Sequence, residues 1–290
     1  MAERCFLIVN PTSGGYSRQK IAEVVNSLER GGKAPELLLT RCAADAGLFA
    51  RRICTEEAAP FIVVGGGDGT INGVLNGLAP GKATLAILPL GTANVLAKEL
   101  GIRSLEEAIR RITGGEARTM AVGLLEAQGE KRYFSLMAGI GVDGAVVEDV
   151  RLGEKRVVGK GAYLLAAMRR LAAWDREPLR IRADGREVEC HSAVICNGAR
   201  YGGDFVLAPT ADIFTPGFQV VCIRGGTRRT YARLALDLFR GRVPSGPGIT
   251  TFPARLLEIS TAKAVQVDGD YVGRGPLRIV VVENFVRVLA

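Results

Sequence analysis

The chain has 290 residues, of which 48% are hydrophobic, 6% aromatic and 23% charged, with a formal net charge of +8. That is ample apolar material for one large globular domain or two ordinary ones, and it excludes a disordered chain. The charge suits anionic partners, a nucleotide or an anionic lipid surface, but scattered cations and few aromatics make no stacking platform, so no nucleic-acid partner is expected.

Met1 to Cys5 leads straight into a strand over residues 4–9, with no signal-peptide pattern. No apolar run reaches the roughly 18 residues of a membrane span, so the expected location is cytoplasmic, at most peripheral at the inner membrane face. Asn10-Pro11-Thr12-Ser13-Gly14-Gly15 turns after the strand, and Ile21, Val24, Val25 and Leu28 mark one face of a helix. A second strand over 36–40 ends at Thr40, and Ala46, Phe49, Ala50 and Ile53 mark the next helix. The third strand, 61–64, opens on Gly65-Gly66-Gly67-Asp68-Gly69-Thr70, after which Ile71, Val74, Leu75 and Leu78 repeat at helical spacing. These glycines bring no side chain to pack; they let the backbone turn and let a bulky anion reach the amides. A strand, a glycine loop and a helix N-terminus make a phosphate site. Asp68 is the odd member, because a carboxylate repels phosphates unless it holds a metal, a hydroxyl or a backbone amide. A fourth strand, 84–88, leads through Pro89-Leu90-Gly91-Thr92-Ala93-Asn94 into a helix over 95–100, and Leu105, Ala108, Ile109 and Ile112 form one more helix, stopped by Gly114-Gly115. Such alternation predicts a doubly wound parallel sheet over 1–119, with the three loops on its ligand-binding edge.

After about residue 120 the rhythm becomes strand-rich. Strands are expected at 133–138, 179–183, 188–196, 218–223, 256–260, 264–267, 277–282 and 286–289, with a hairpin at Asp184-Gly185. This predicts a mainly antiparallel β-sandwich over 120–290, interrupted by helices near 160–173 and 228–240. The first, with Lys160, Tyr163, Met168, Arg169, Arg170 and Trp174, either caps the sandwich or lies at a membrane interface. The second sets Arg229, Arg233 and Asp237 opposite Tyr231, Leu234, Ala235 and Leu238, an ordinary solvated face. Cys5, Cys190, Cys196 and Cys222 sit in apolar runs, and with no Cys-x-x-Cys pair they read as buried free thiols. His191 is the only histidine and cannot form a histidine metal cluster.

The sequence lacks the Gly-x-x-x-x-Gly-Lys-Ser/Thr loop and the Gly-x-Gly-x-x-Gly dinucleotide fingerprint with its ribose-binding acid. Asn10-Pro11-x-Ser13-Gly14, Gly66-Gly67-Asp68-Gly69-Thr70 and Gly91-Thr92-x-Asn94 instead resemble the diacylglycerol-kinase catalytic domain, found in soluble bacterial lipid kinases and in sphingosine and ceramide kinases. The resemblance continues in Gly139-Ile140-Gly141-Val142-Asp143, in Asn197, Gly202-Gly203 and Ala208-Pro209, and in Val267-Asp268-Gly269-Asp270.

The resemblance implies an active site in the cleft between domains. It implies ATP and Mg2+ as cofactors and transfer of the γ-phosphoryl group to a hydroxyl of a diacylglycerol-like lipid at an anionic membrane surface. It carries nucleotide contacts onto Asn10, Ser13, Thr40, Gly65, Gly66, Gly67, Asp68, Gly69, Thr70, Asn72, Gly91, Thr92 and Asn94. The metal falls to Asp68 and the general base to Asp270, which is Glu in the family. No stable protein partner is expected. Three departures stand out: Gly73 and Ala121 replace family acids, and Phe214-Thr215-Pro216-Gly217 replaces Asp-Asp-Gly; Asp143, Asp204 or Asp212 are candidates to compensate. A nucleotide- or lipid-binding homologue with weak or no transfer, and a NAD-kinase-like enzyme that shares Gly-Gly-Asp-Gly-Thr, remain as alternatives.

Overall fold

A computed structural model of the protein describes residues 3–149 and 177–290; the helix expected near 160–173 lies outside them. The chain divides into two compact units, Met1–Val122 with Val282–Ala290, and Gly123–Val281.

In the first unit β1 (Glu3–Val9), β2 (Lys33–Leu39), β3 (Phe61–Gly66) and β4 (Thr84–Pro89) alternate with α1 (Arg18–Arg30), α2 (Asp45–Glu56), α3 (Asp68–Leu75), α4 (Val95–Glu99) and α5 (Leu105–Gly114). The strands are parallel in the order β2-β1-β3-β4. Phe6–Val9 and Ile62–Val64 are fully buried, as unbroken apolar strands covered on both faces must be. Ser17 caps α1 by accepting from the Lys20 amide, and Ile21, Val24 and Leu28 are its buried face. From β1 the chain winds out to β2, whereas from β3 it winds the other way to β4. The strand order thus reverses between β1 and β3, and open α/β sheets bind ligands at the carboxyl edge beside such a switch point. One strand comes from the far end of the chain: Arg287 and Val288 pair in parallel with Thr84 and Leu85.

The second unit holds the remaining elements: β6 (Glu130–Phe134), β7 (Met137–Ile140), α6 (Val142–Asp149), β8 (Leu179–Ala183), β9 (Arg186–Cys190), β10 (Ser192–Cys196), β11 (Arg200–Tyr201), β12 (Phe205–Val206), β13 (Phe218–Ile223), α7 (Arg228–Phe239), β14 (Ile249–Ala254), β15 (Leu256–Ile259), β16 (Ala264–Val267) and β17 (Asp270–Arg274). The strands β5 (Ala117–Ala127) and β18 (Leu277–Leu289) run between the units. One antiparallel sheet has the order β14-β13-β10-β7-β16-β17, and β9, β8, β15 and the start of β18 pair in another. Their inward residues share a core in which Phe134 and Phe218 stack with centroids 5.9 Å apart. Gln128-Gly129, Asp184-Gly185 and Asp268-Gly269 all take positive φ at both positions, the two-residue turn that matches strand twist.

Several sequence-based strands are redrawn. The run 133–138 is two strands, because the Asp268 carboxylate accepts from the amides of Ser135, Leu136 and Met137 (2.7–2.9 Å) and from Ser135 Oγ, pulling the chain out of the ladder. The run 188–196 is also two strands, one in each sheet, with buried His191 at the corner, its Nδ1 2.7 Å from the Tyr231 hydroxyl. By contrast, 277–289 is one strand despite Asn284 at φ 50°. On α7, Ala235 is exposed rather than turned inward. The six cysteines are free, and all but Cys42 are buried.

Asp268→Ala leaves three amides and a hydroxyl without their acceptor, so unfolding free energy should fall by about 3 kcal/mol. Urea titration checks this, with Asp270→Ala, two residues on at an exposed position, expected to leave the midpoint unchanged.

Candidate functional site

The first three strand ends are locked side by side: the Asn10 amide donates to Gly65 O and the Thr40 amide to Val9 O, both at 2.9 Å. Asn10 Oδ1 accepts from the amide and hydroxyl of Thr12 (3.0 and 2.8 Å), and its Nδ2 lies 3.4 Å from Thr70 Oγ1. Asn10 thus joins the first loop to the first turn of α3.

Gly65 and Gly66 do not belong to the turn. They are the last residues of β3, paired with Leu88 and Pro89, and no glycine from 65 to 69 has a positive φ. Their service is room: a Cβ on Gly66 would lie 2.6 Å from Thr70 Cβ. The tightest approach joins the second and third loops, where a Cβ on Gly91 would sit 2.3 Å from Gly67 Cα. The amides of Leu90 and Gly91 both donate to Gly66 O at 3.1 Å, and Gly15 N donates to Leu90 O at 2.8 Å. Asn94, in the left-handed region at φ 49°, closes the third loop by accepting from Gly91 N and donating to Gly91 O, each 2.8 Å.

Asp68 has a resolved role. Its Oδ1 accepts from Leu96 N at 3.1 Å and so caps α4, whose own N-cap residue Asn94 makes no side-chain cap bond. Of the three partners that would reconcile a carboxylate with phosphates, the structure shows the backbone amide. The first-turn amides of α3, Asp68 and Gly69, have no acceptor within the helix. Beside them Gly69 is exposed, and a Cβ built on it meets nothing within 4 Å. Ser13 is half-buried and Thr92 exposed on the same edge. Thr40 and Asn72 are buried, and Asn72 Oδ1 accepts from Asn76 Nδ2 at 2.9 Å, one helical turn on. Sequence reasoning missed three cations: Lys20, Lys98 and Arg103 line a cavity of about 240 Å3 together with Gly15, Leu90 and Asn94. Lys20 sits in the first turn of α1, directly after the loop, which was the available signal.

In the second unit Asp270 is exposed at the start of β17, next to a turn held twice, through Asp268 as above and through Gly269 N donating to Gln266 Oε1 at 2.8 Å. Gln266 Nε2 donates to Asp143 at 2.7 Å, and the Tyr201 hydroxyl donates to Asp143 as well. Burial pushes the Asp143 carboxyl up, against the pull of those two donors, so this acid is bound up within the fold. Asp212 is occupied by its own loop, accepting from Phe214 N and Thr215 Oγ1, each at 3.0 Å; Asp204 is exposed. Gly73, where the family has an acid, belongs to a close crossing of α2 and α3: a Cβ there would be 3.2 Å from Ala46 Cβ, and one on Gly77 2.2 Å from Gly47 O. Ala121 is buried in β5. Among the described residues no three His, Cys, Asp or Glu side chains gather as a metal cage.

Residues 4–125 match the diacylglycerol kinase catalytic domain, and residues 137–290 match the YegS C-terminal NAD kinase beta sandwich-like domain. The diacylglycerol kinase of Bacillus subtilis (strain 168) is 30% identical over 285 residues, covering 94% of this chain and 92% of that protein. The diacylglycerol kinase of Staphylococcus aureus (strain MRSA252) is 26% identical over 298 residues, covering 100% of this chain and 93% of its own. A solved structure from Bacillus anthracis str. Sterne has a TM-score of 0.81 at 23% identity, covering 99% of this chain and 95% of that one, a likeness of fold.

The contact between the two loops predicts an asymmetry between their glycines. Gly91→Ala must push Gly67 away and should cost about 2 kcal/mol. Gly69→Ala adds its methyl to open space on a helix and should leave the thermal midpoint unchanged or slightly raised. Paired melting curves measure both.

Proposed function

The chain belongs to the diacylglycerol kinase family and is a lipid kinase, and we propose that it transfers the γ-phosphoryl group of ATP to the hydroxyl of a diacylglycerol-like lipid. The observation that carries this reading is the floor made where Gly67 meets Gly91, with no side chain on either backbone and the open amide of Gly69 beside it. Phosphates need close backbone approach, and the N-terminal end of α3 favours their charge. Thr12 and Thr92 are exposed on the same loops, and Lys20 and Lys98 bring positive charge to the cavity lined by Gly15 and Asn94 of those loops.

Mg2+ fits this site as an ion held mainly by phosphate oxygens and water, because Asp68 is the one acid of the phosphate loop and one of its oxygens is already spent on Leu96 N. When bound, the ion would neutralise charge developing on the transferred group, with Asp68 Oδ2 as its protein ligand. Asp270 is assigned the lipid hydroxyl's proton: as the alcohol oxygen bonds to the γ-phosphorus and ADP leaves, the carboxylate becomes a carboxylic acid and later returns the proton to water. Its exposure and its twice-held turn support that role. The absence of a three-acid cluster among the described residues favours one other reading, a homologue that binds nucleotide and transfers slowly.

A panel of lipid alcohols with labelled ATP separates the two. Asp270→Asn should lower turnover by about two to four orders of magnitude while ATP affinity by calorimetry stays the same. Asp68→Asn should weaken magnesium-dependent ATP binding as well as turnover. Transfer to no lipid, with ATP affinity indifferent to magnesium, would decide for the binding homologue.

Gly69→Val should abolish ATP binding in a folded protein, since its side chain fills space that only ligand would use. Unchanged affinity would remove the phosphate site from this loop.

A further inference from the structure

The segment from Arg224 to Val243 holds six arginines (Arg224, Arg228, Arg229, Arg233, Arg240 and Arg242) and one acid, Asp237. Its net +5 is most of the chain's +8. Most of the segment is α7, so cations that read as scattered along the chain as a whole are here concentrated on one surface element of the second unit.

The helix is tethered along one side. Thr227 caps it by accepting from Thr230 N, Tyr231 is buried with its hydroxyl 2.7 Å from His191 Nδ1, and the two rings meet edge to face at 5.4 Å. Leu234 and Leu238 are half-buried, at three and seven residues from Tyr231. The other side carries Arg229, Arg233, Leu236 and Arg240 at spacings of four, three and four, one stripe along a helix, and all four are exposed. Leu236 is 46% exposed, and Val243 just past the helix is 43% exposed. Among the described residues Arg229, Arg240 and Arg242 have no acid within ion-pair distance, and Arg233 has only Asp237, at 3.9 Å.

The geometry points to α7 as the element that docks the protein on an anionic lipid bilayer, its arginines among the headgroups and Leu236 and Val243 at the acyl boundary. This rests on the lipid-kinase reading, which supplies a substrate that resides in a membrane. Two exposed aliphatic side chains set among exposed arginines are what an interfacial helix presents to a bilayer. A nucleic acid would use the cations but has no use for the aliphatic residues, and Tyr231, the aromatic of α7 whose side chain is described, is buried and offers no face for stacking.

Vesicle sedimentation tests this. The wild type should sediment with phosphatidylcholine mixed with phosphatidylglycerol, not with phosphatidylcholine alone, and salt should release it. The triple variant Arg229→Ala, Arg233→Ala, Arg240→Ala should lose about a hundredfold in partitioning, about fivefold per arginine. Leu236→Ser should weaken binding without changing its salt dependence. All positions are exposed, so melting temperatures should hold; should the triple variant fail to fold, Arg240→Glu reads the same effect with one change. Transfer to diacylglycerol in neutral detergent micelles should be the same for the wild type and every variant. Sedimentation of the triple variant like the wild type would overturn the proposal, as would tighter binding to duplex RNA than to anionic vesicles. Vesicle binding that follows the expected pattern, with no transfer in micelles by any form, would leave the docking surface standing and remove the lipid-kinase reading.

Discussion

Two peptide backbones touch where Gly67 passes Gly91, and the carboxyl edge of the sheet in the first unit is built outward from that contact. A methyl group on Gly91 would overlap Gly67 Cα at 2.3 Å. Because the chains come so close, Gly66 O can take both the Leu90 and Gly91 amides, and the third loop starts from a fixed point. Asn94 then folds back on Gly91, and Asp68 reaches across to cap α4. The result is two helix starts anchored to one another by backbone and short side chains. Rigidity here comes from proximity, since interiors packed this closely do not deform gradually.

A second theme is the employment of carboxylates by backbone amides. Asp68 takes Leu96 N, Asp268 takes the amides of residues 135–137, Asp184 takes those of Arg255 and Leu256, and Asp45 takes those of Arg41 and Cys42. In the last case those amides hold the Asp45 carboxyl below its ordinary range. An ionised acid that accepts amide hydrogen bonds is a strong local fastener. It also means that counting acids overstates what is available for chemistry. Asp143 and Asp212, which on sequence looked able to replace lost family acids, are each engaged where they stand. The crossing of α2 and α3 makes the loss at Gly73 intelligible as well, since a long side chain there would force the helices apart.

The second unit turns on two corners at which the chain changes partners. At Ser135-Leu136 it leaves β6 for β7, held by Asp268 from the far end of the unit, with Asn197 Nδ2 donating to Ser135 O at 2.7 Å. At His191 it passes from β9 to β10 and into the other sheet, and the same residue receives Tyr231 from α7. The lone histidine is thus a corner post whose ring fixes a surface helix. The turn presenting Asp270 belongs to this scaffold through Gln266 and Asp268.

What was legible in the sequence was local or periodic. Buried runs such as residues 62–64 and the helical repeats of Ile21, Val24 and Leu28 named the doubly wound half, because a strand covered on both faces and an amphipathic helix each write their burial into successive residues. The Asp184-Gly185 hairpin was readable for the same reason, since two residues dictate that turn. The family motifs marked Gly67, Asp68 and Asp270 but not what holds them. Only the tertiary structure decided that Gly65 and Gly66 are strand rather than turn, that Asp68 caps a helix 28 residues away, that 133–138 breaks in two, and that the chain's last strand lies beside β4. Each of these is settled by a partner more than twenty residues distant along the chain, or by how near another backbone can come. A pattern read along one stretch of sequence carries no term for either.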